Sequence, residues 1–282
     1  MFCEEQVEHY HAFGFVVLRE QLDAATVEAL SNEIDGAFRD AFGSYFDERP
    51  DPGGISGHYL PVMSAARTPG SLALIERLHP LARRLLGGEA LPSPAQAILF
   101  FEQAAWHEDT GFDVSSVKFA AYLEPLTAGN GALRVLPGSH LAGYRELAKQ
   151  FDRRVMAQSR EELSAAVARL PGHACETTPG DVIAFDQRLY HASVNGRDRR
   201  QWTVTFYRDP QTEQETAAVS AALSDEVAPG YGSFGDYDPK RFPFYDPDWI
   251  GRLEQSWQAP AVGRLRELGI LDAAARAIES GA

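Results

Sequence analysis

Between about residues 96 and 208 the chain breaks into short apolar segments separated by turn residues, and this pattern restricts the fold more than any other feature. The segments read AILFFEQ, VKFAAYLEP, GALRVLPGS, HACETTP, DVIAFDQ and QWTVTFYR. Each is rich in β-branched or aromatic residues, and Gly or Pro punctuates the gaps. Many short strands joined by turns predict a barrel or sandwich. One interruption, roughly 143–169, carries YRELAKQF and SREELSAAVARL and reads as helix.

The flanks differ. EEQVEHYHAFGFVVLREQL predicts a short helix and then a strand around Phe13–Leu18. DAATVEALSNEIDGAFRDAF has helical spacing, with Asp23 as its N-cap. SLALIERLHPLARRLLGG resumes a helix that stops at a Gly pair. Residues 44–68, including ERPDPGGISGHYLP, are rich in turn formers and are expected to be loop. Past Arg208, a Gly/Tyr/Phe-rich stretch precedes two or three terminal helices. The expected fold class is mainly β with flanking helices, in a single domain over 1–282. Its parts are an N-terminal helical flank (about 1–90), a β core (about 96–208) and a C-terminal helical or lid extension (about 209–282). The glycines and aromatics of 229–245 suit either an active-site lid or a packed surface loop.

Charge restricts the partners. With 26 Lys and Arg against 40 Asp and Glu, the net charge is −14. An acidic surface repels phosphate backbones and anionic lipid, which disfavours nucleic acid and membranes and leaves a small molecule as the expected partner. The opening MFCEEQVEHY is acidic where a signal peptide needs a basic region, and no apolar run reaches membrane-spanning length. Cys3 and Cys175 belong to no CxxC pair and read as free thiols. A cytoplasmic location is the plain reading.

The chemistry-bearing stretch is WHEDTGF, residues 106–112. On a strand, His107 and Asp109 project to the same side, with Cα atoms roughly 6–7 Å apart. Among eight histidines, His191 stands apart: it follows the GDVIAF strand and precedes ASVNGRDRR. Two His and one carboxylate on a β scaffold make the facial triad of non-haem Fe(II) oxygenases, which leaves coordination positions open. A surface polar pair and a capping histidine fit the same spacing equally well.

Four blocks extend the pattern in a fixed order: YHAFGFVVLREQLDAATVEAL, WHED, GNGALRVLPGSH and PGDVIAFDQRLYHASVNGRDRRQWTVTFY. In these blocks the chain resembles the phytanoyl-CoA dioxygenase family of Fe(II)/2-oxoglutarate oxygenases, from about residue 5 to 208. The resemblance implies a double-stranded β-helix (jelly-roll) core. It also implies Fe(II) held by His107, Asp109 and His191, with 2-oxoglutarate and O₂ as co-substrates. Glu108 stands where the family often has Gln, and the segment after Arg208 lies outside the resemblance.

The remote carboxylate of 2-oxoglutarate needs a buried cation, and the planar fork of Arg suits it. In the family this Arg opens the strand after the distal His, where RDRRQWTVTFY offers Arg197, Arg199 and Arg200. Arg197 lies in the turn. Alternation puts Arg199 with Gln201, Thr203 and Thr205, and Arg200 with Trp202, Val204 and Phe206. The polar face suits the cavity, so Arg199 is favoured over Arg200. Ser193 matches a family position touching the same carboxylate. Trp106, Phe112, Phe185, Gln187 and Tyr190 flank the ligands and are candidates for shaping the substrate site. Arg134 fits either the cavity or an exposed strand position.

The implied activity is hydroxylation of an unactivated C–H of a small metabolite, with release of succinate and CO₂. Asp109 argues against a halogenase, where chloride takes the carboxylate's place. Alternatives are desaturation, epimerisation or ring closure at the same iron, or a non-catalytic jelly-roll module binding a metal or sugar. An acyl-CoA is disfavoured because no basic patch for its phosphates is visible.

Overall fold

The longest strand, β11 (Arg199–Arg208), shows how the two faces of the fold are assigned. Trp202, Val204 and Phe206 are fully buried in the main apolar cluster, whereas Arg199 and Gln201 line a cavity on the opposite face. This is the division that strand alternation predicts. The computed structural model describes residues 3–43, 57–101, 103–152, 160–228 and 237–280.

Around β11 lies the larger sheet. It contains β1 (Phe15–Leu18), β2 (Gly57–Pro61), β3 (Ala90–Pro92), β4 (Gln96–Phe100), β6 (Ser116–Tyr122) and β9 (Val182–Phe185). The strand order is β1-β9-β6-β11-β4-β2, with β3 also paired to β11, and every pairing is antiparallel. The smaller sheet has the order β5-β10-β7-β8, from β5 (Ala104–His107), β7 (Leu133–Val135), β8 (His173–Cys175) and β10 (His191–Ser193). Among the described strands, β5 is therefore an edge. The two antiparallel sheets form the jelly roll.

Helices cover both outer faces. The helix α1 (Glu4–Phe13) leads into β1, and α2 (Ala24–Phe42) starts at Asp23, whose side chain accepts from the Thr26 N–H at 2.8 Å. The helix α3 (Pro69–Leu86) packs on β11, where Trp202 donates from Nε1 to Ser71 Oγ at 2.7 Å. An indole N–H buried in an apolar layer needs such a partner. The insertion forms α4 (Ala142–Asp152) and α5 (Arg160–Ala168). Their Ala148 and Val167 pack with Trp106, Leu136 and Tyr190 against the outside of the smaller sheet.

Four described helices follow β11: α6 (Glu213–Glu226), α7 (Pro247–Leu253), α8 (Ala259–Glu267) and α9 (Ile270–Ser280). The lid expectation needs correcting for the part that is described. Phe242, Phe244, Tyr245 and Trp249 are buried in the main cluster against the outer face of the larger sheet. Tyr245 donates its hydroxyl to the Pro92 carbonyl at 2.7 Å. Aromatic tips gain more by burial in that core than by standing in water above a cavity. Residues 229–236 of that stretch lie outside the described residues.

A second correction concerns the expected loop over 44–68. Residues 57–61 form β2, which pairs with β4 from Gly57↔Phe100 to Pro61↔Gln96. The Gly and Pro flanks conceal a strand that the exposed edge of β4 recruits through its unpaired backbone groups. Residues 44–56 lie outside the described residues. Among the described residues, no helix is long and apolar enough to cross a membrane.

Candidate metal and co-substrate site

His107 ends β5 and His191 opens β10, and the two residues are direct partners across that antiparallel ladder. Their ring centroids are 4.2 Å apart. His107 Nδ1 lies 2.7 Å from the Ala105 carbonyl, and His191 Nδ1 lies 2.9 Å from the Leu189 carbonyl. A carbonyl only accepts, so each Nδ1 carries the proton and each Nε2 keeps its lone pair for a cation.

Asp109 reaches the same point by another route. The strand ends at His107, so Asp109 lies in the bend beyond it, and alternation along β5 does not place it. Its N–H donates to the Gln187 carbonyl at 2.9 Å, which fastens the bend to the segment before β10. Asp109 Oδ1 is 3.4 Å from His107 Nε2 and 3.3 Å from His191 Nε2. One ligand atom from each residue lies within 4.8 Å of the other two. Two imidazole nitrogens and a carboxylate oxygen converging in this way fit Fe(II).

The carboxylate and the two imidazoles perturb one another. Burial opposes the Asp109 charge, yet Lys118 and the two imidazoles outweigh it and hold the carboxyl well below its usual range. Burial also opposes both imidazolium forms. At His107 the Asp109 carboxylate prevails and the pKa rises; at His191 burial prevails and it falls.

The cavity has a volume of about 480 Å³ and lies between the sheets. This is ample for small molecules. Arg199 lines it together with the three candidate ligands. Its Nη1 donates to Ser193 Oγ at 2.6 Å and to the Gly131 carbonyl at 2.9 Å, and its guanidinium carbon lies 5.0 Å from the Phe100 ring centre. Two glycines make room for the stem. A Cβ on Gly131, whose φ is +106°, would come within 2.7 Å of Arg199 Cδ, and one on Gly196 within 2.4 Å of Arg199 Nε. Arg200 points the other way. It pairs with Asp35 of α2 at 2.8 Å and Glu124 at 2.6 Å, outside the cavity.

The structure brings together His107, Asp109, His191, Arg199, Ser193 and Phe185. Five other candidates do not line the cavity. Trp106, one residue from His107, faces the opposite side and is buried beneath α4 and α5. Tyr190 belongs to the same cluster. Phe112 packs against the main core. Arg134 is half-buried with Nη2 on the Ala128 carbonyl at 3.0 Å, because its neighbour Leu133 takes the inward position. The Gln187 side chain donates to Thr205 Oγ1 at 3.2 Å, and only its main chain serves Asp109. Glu108 accepts from Arg145 Nε at 2.6 Å, tying α4 to the ligand-bearing bend.

Sequence reasoning missed Lys118, Tyr59, Gln96, Tyr122 and Gln103, all of which line the cavity. Lys118 did leave a signal, being the one charge within the apolar strand VKFAAY. Tyr59 left none, since its strand reads as loop.

The fold and the two-His, one-carboxylate centre define a non-haem iron oxygenase of the jelly-roll type. The family model described as phytanoyl-CoA dioxygenase (PhyH) matches residues 10–200, and the chain belongs to that family of Fe(II)- and 2-oxoglutarate-dependent oxygenases. Its cofactors are Fe(II) and 2-oxoglutarate. A relative, dioxygenase andF of Emericella variicolor, is 22% identical over a 227-residue alignment, with 69% of this chain and 70% of that one covered. Among solved structures, EctD from S. alaskensis with 2-oxoglutarate and 5-hydroxyectoine matches with a TM-score of 0.51 at 22% identity. It covers 74% of this chain and 77% of that chain. The 2-oxoglutarate-dependent carbocyclase SnoK from nogalamycin biosynthesis matches with a TM-score of 0.52 at 18% identity, covering 74% and 85% respectively.

Proposed function

We propose that His107, Asp109 and His191 hold Fe(II), that Arg199 with Ser193 holds the remote carboxylate of 2-oxoglutarate, and that the enzyme hydroxylates a C–H of a small polar metabolite. One observation carries this reading. The converging ligand atoms and the buried Arg199 open onto the same cavity, while Arg200 is turned outward. A protein that merely bound a metal would have no use for such an arginine.

When bound, the iron and oxoacid supply the oxidising power, with succinate and CO₂ released, and the protein supplies placement. His107 and His191 would offer Nε2 to the ion, since each Nδ1 proton is committed to a carbonyl. Arg199, always charged, offers a fork that fits a carboxylate. Tyr59, Gln96, Gln103 and Gln201 add hydrogen-bonding groups to the wall, which suits a polar substrate. The cationic lining residues are Lys118 and Arg199, both engaged inside the cavity, so the described wall has no cluster of bases for the phosphates of a CoA thioester.

The test is succinate release from Fe(II) enzyme and 2-oxoglutarate across a panel of small polar metabolites, followed by product mass. A substrate that gains one oxygen atom supports hydroxylation. A product lacking two hydrogens would replace it with desaturation or ring closure, the latter being what the name of SnoK describes for that protein. No uptake of 2-oxoglutarate by the anaerobic Fe(II) protein would refute the oxygenase assignment of the site.

A further inference from the structure

Lys118 lies in the middle of β6, opposite Thr205 of β11 and Phe185 of β9. Its strand neighbours Val117 and Phe119 are fully buried in the outer-face cluster, so parity sends the lysine inward. It crosses the sandwich and places Nζ 2.8 Å from Asp109 Oδ2. The other oxygen, Oδ1, is the one that faces His107 Nε2 and His191 Nε2. The two oxygens of Asp109 thus have separate partners on separate sheets.

We propose that Lys118 is a positioning residue for Asp109: it occupies Oδ2 and presents Oδ1 alone to the metal, making the carboxylate a one-oxygen ligand. The inference rests on the triad reading given above. The Asp109 main chain is already fixed by its bond to the Gln187 carbonyl. What remains free is rotation of the carboxylate, and a charge-assisted bond to one oxygen removes that freedom.

Fold stability does not account for the lysine. A charge inside a sandwich loses hydration that its ion pair only partly restores, and well-packed apolar residues in place of such a pair are often as stable or more so. Partners that orient a metal's ligands, in contrast, are typically worth a factor of about 10–100 in metal affinity or activity. Arg199, the other cation of the cavity, is directed at Ser193 and Gly131 and not at Asp109.

The experiment is titration of the full chain with Mn(II), without co-substrate, for wild type, Lys118→Met, Lys118→Arg and Asp109→Ala, each checked for native circular dichroism. Lys118→Met should weaken Mn(II) binding about 10–100-fold, and Lys118→Arg should restore most of the loss. Infrared difference spectra with ¹³C-aspartate supply a second readout. The separation of the carboxylate stretches, wide for a one-oxygen ligand, should narrow in Lys118→Met and stay wide in Lys118→Arg. If Lys118→Met does not fold, Lys118→Gln carries the same expectation.

Unchanged affinity and unchanged separation in the Met variant would overturn the inference and leave the triad intact. A wild type that does not bind Mn(II), or an Asp109→Ala variant that binds it as tightly, would refute the triad reading and this inference with it.

Discussion

Arg199 and Ser193 meet at 2.6 Å, and both donate to the same Gly131 carbonyl, each at 2.9 Å. The guanidinium is therefore held in place before any co-substrate arrives, by neutral groups that leave its charge for a carboxylate. Removing one partner of a buried charge pair typically costs about 3–5 kcal/mol. Arg199→Ala is accordingly expected to raise the 2-oxoglutarate dissociation constant by roughly two to three and a half orders of magnitude. Arg199→Lys should rescue it only partly. Arg200→Ala removes partly exposed pairs with Asp35 and Glu124 and should cost about 1 kcal/mol or less of stability, with co-substrate affinity retained. The metal-to-ligand charge-transfer band of the anaerobic Fe(II) enzyme reads both. A large loss in Arg200→Ala alone would reverse the assignment of the faces.

Gly131 offers a way to displace Arg199 without touching its charge. An alanine there combines a strained φ of +106° with a Cβ pressed on the arginine stem. Gly131→Ala should weaken 2-oxoglutarate binding while leaving Mn(II) affinity close to wild type. Equal affinity for 2-oxoglutarate in the variant would show that the Arg199 stem has room to move.

His107→Ala, Asp109→Ala and His191→Ala should each abolish turnover and sharply reduce Mn(II) affinity in isothermal titration. The circular dichroism of all three should stay native, because each side chain is directed at the cavity rather than at the apolar layers. Metal affinity surviving in all three would sink the centre.

Trp106 is expected to behave as packing. It is 2% exposed, and its Nε1 donates to the Val167 carbonyl at 3.4 Å. Truncation of such a buried aromatic to alanine typically costs about 3–5 kcal/mol. Urea unfolding of Trp106→Ala should show a loss of this size. Unchanged stability together with lost turnover would return Trp106 to the substrate site.

The two thiols should separate cleanly. Cys3 is exposed, whereas Cys175 is buried and burial pushes its thiol up to about 12. At pH 8 only about one molecule in ten thousand then carries the Cys175 thiolate, the reactive form. A disulfide reagent should titrate one thiol in the native chain and both in denaturant. Rapid reaction of two thiols in the native protein would contradict the burial.

The parts of this fold that were readable in the sequence are those where local pattern and tertiary demand agree. Arg199 and Arg200 were separated by parity alone, because β11 is long, regular and apolar on one face only. Asp23 signalled its helix through its own side chain. Asp109 was placed on the right side for an incomplete reason, since a bend fastened by Gln187 holds it there and not the strand. Tyr59 was unreadable because β2 exists only through pairing with β4, a relationship no local window contains. Trp106 and Tyr190 misled because closeness to the ligands along the chain says nothing about the face a side chain takes.

His107 sits on β5, which among the described strands is an edge paired with β10, and His191 sits on β10 in the sheet interior. An ion gripped by both residues gives that edge a second attachment, so metal occupancy becomes a mechanical property of the smaller sheet. Loading should slow amide hydrogen exchange along β5 by more than along the β6 and β9 ladder. Because the ion binds the folded chain, it also raises global stability, by about 2.7 kcal/mol at a hundredfold excess over its dissociation constant. Iron supply would then set how long the chain survives as well as how fast it turns over.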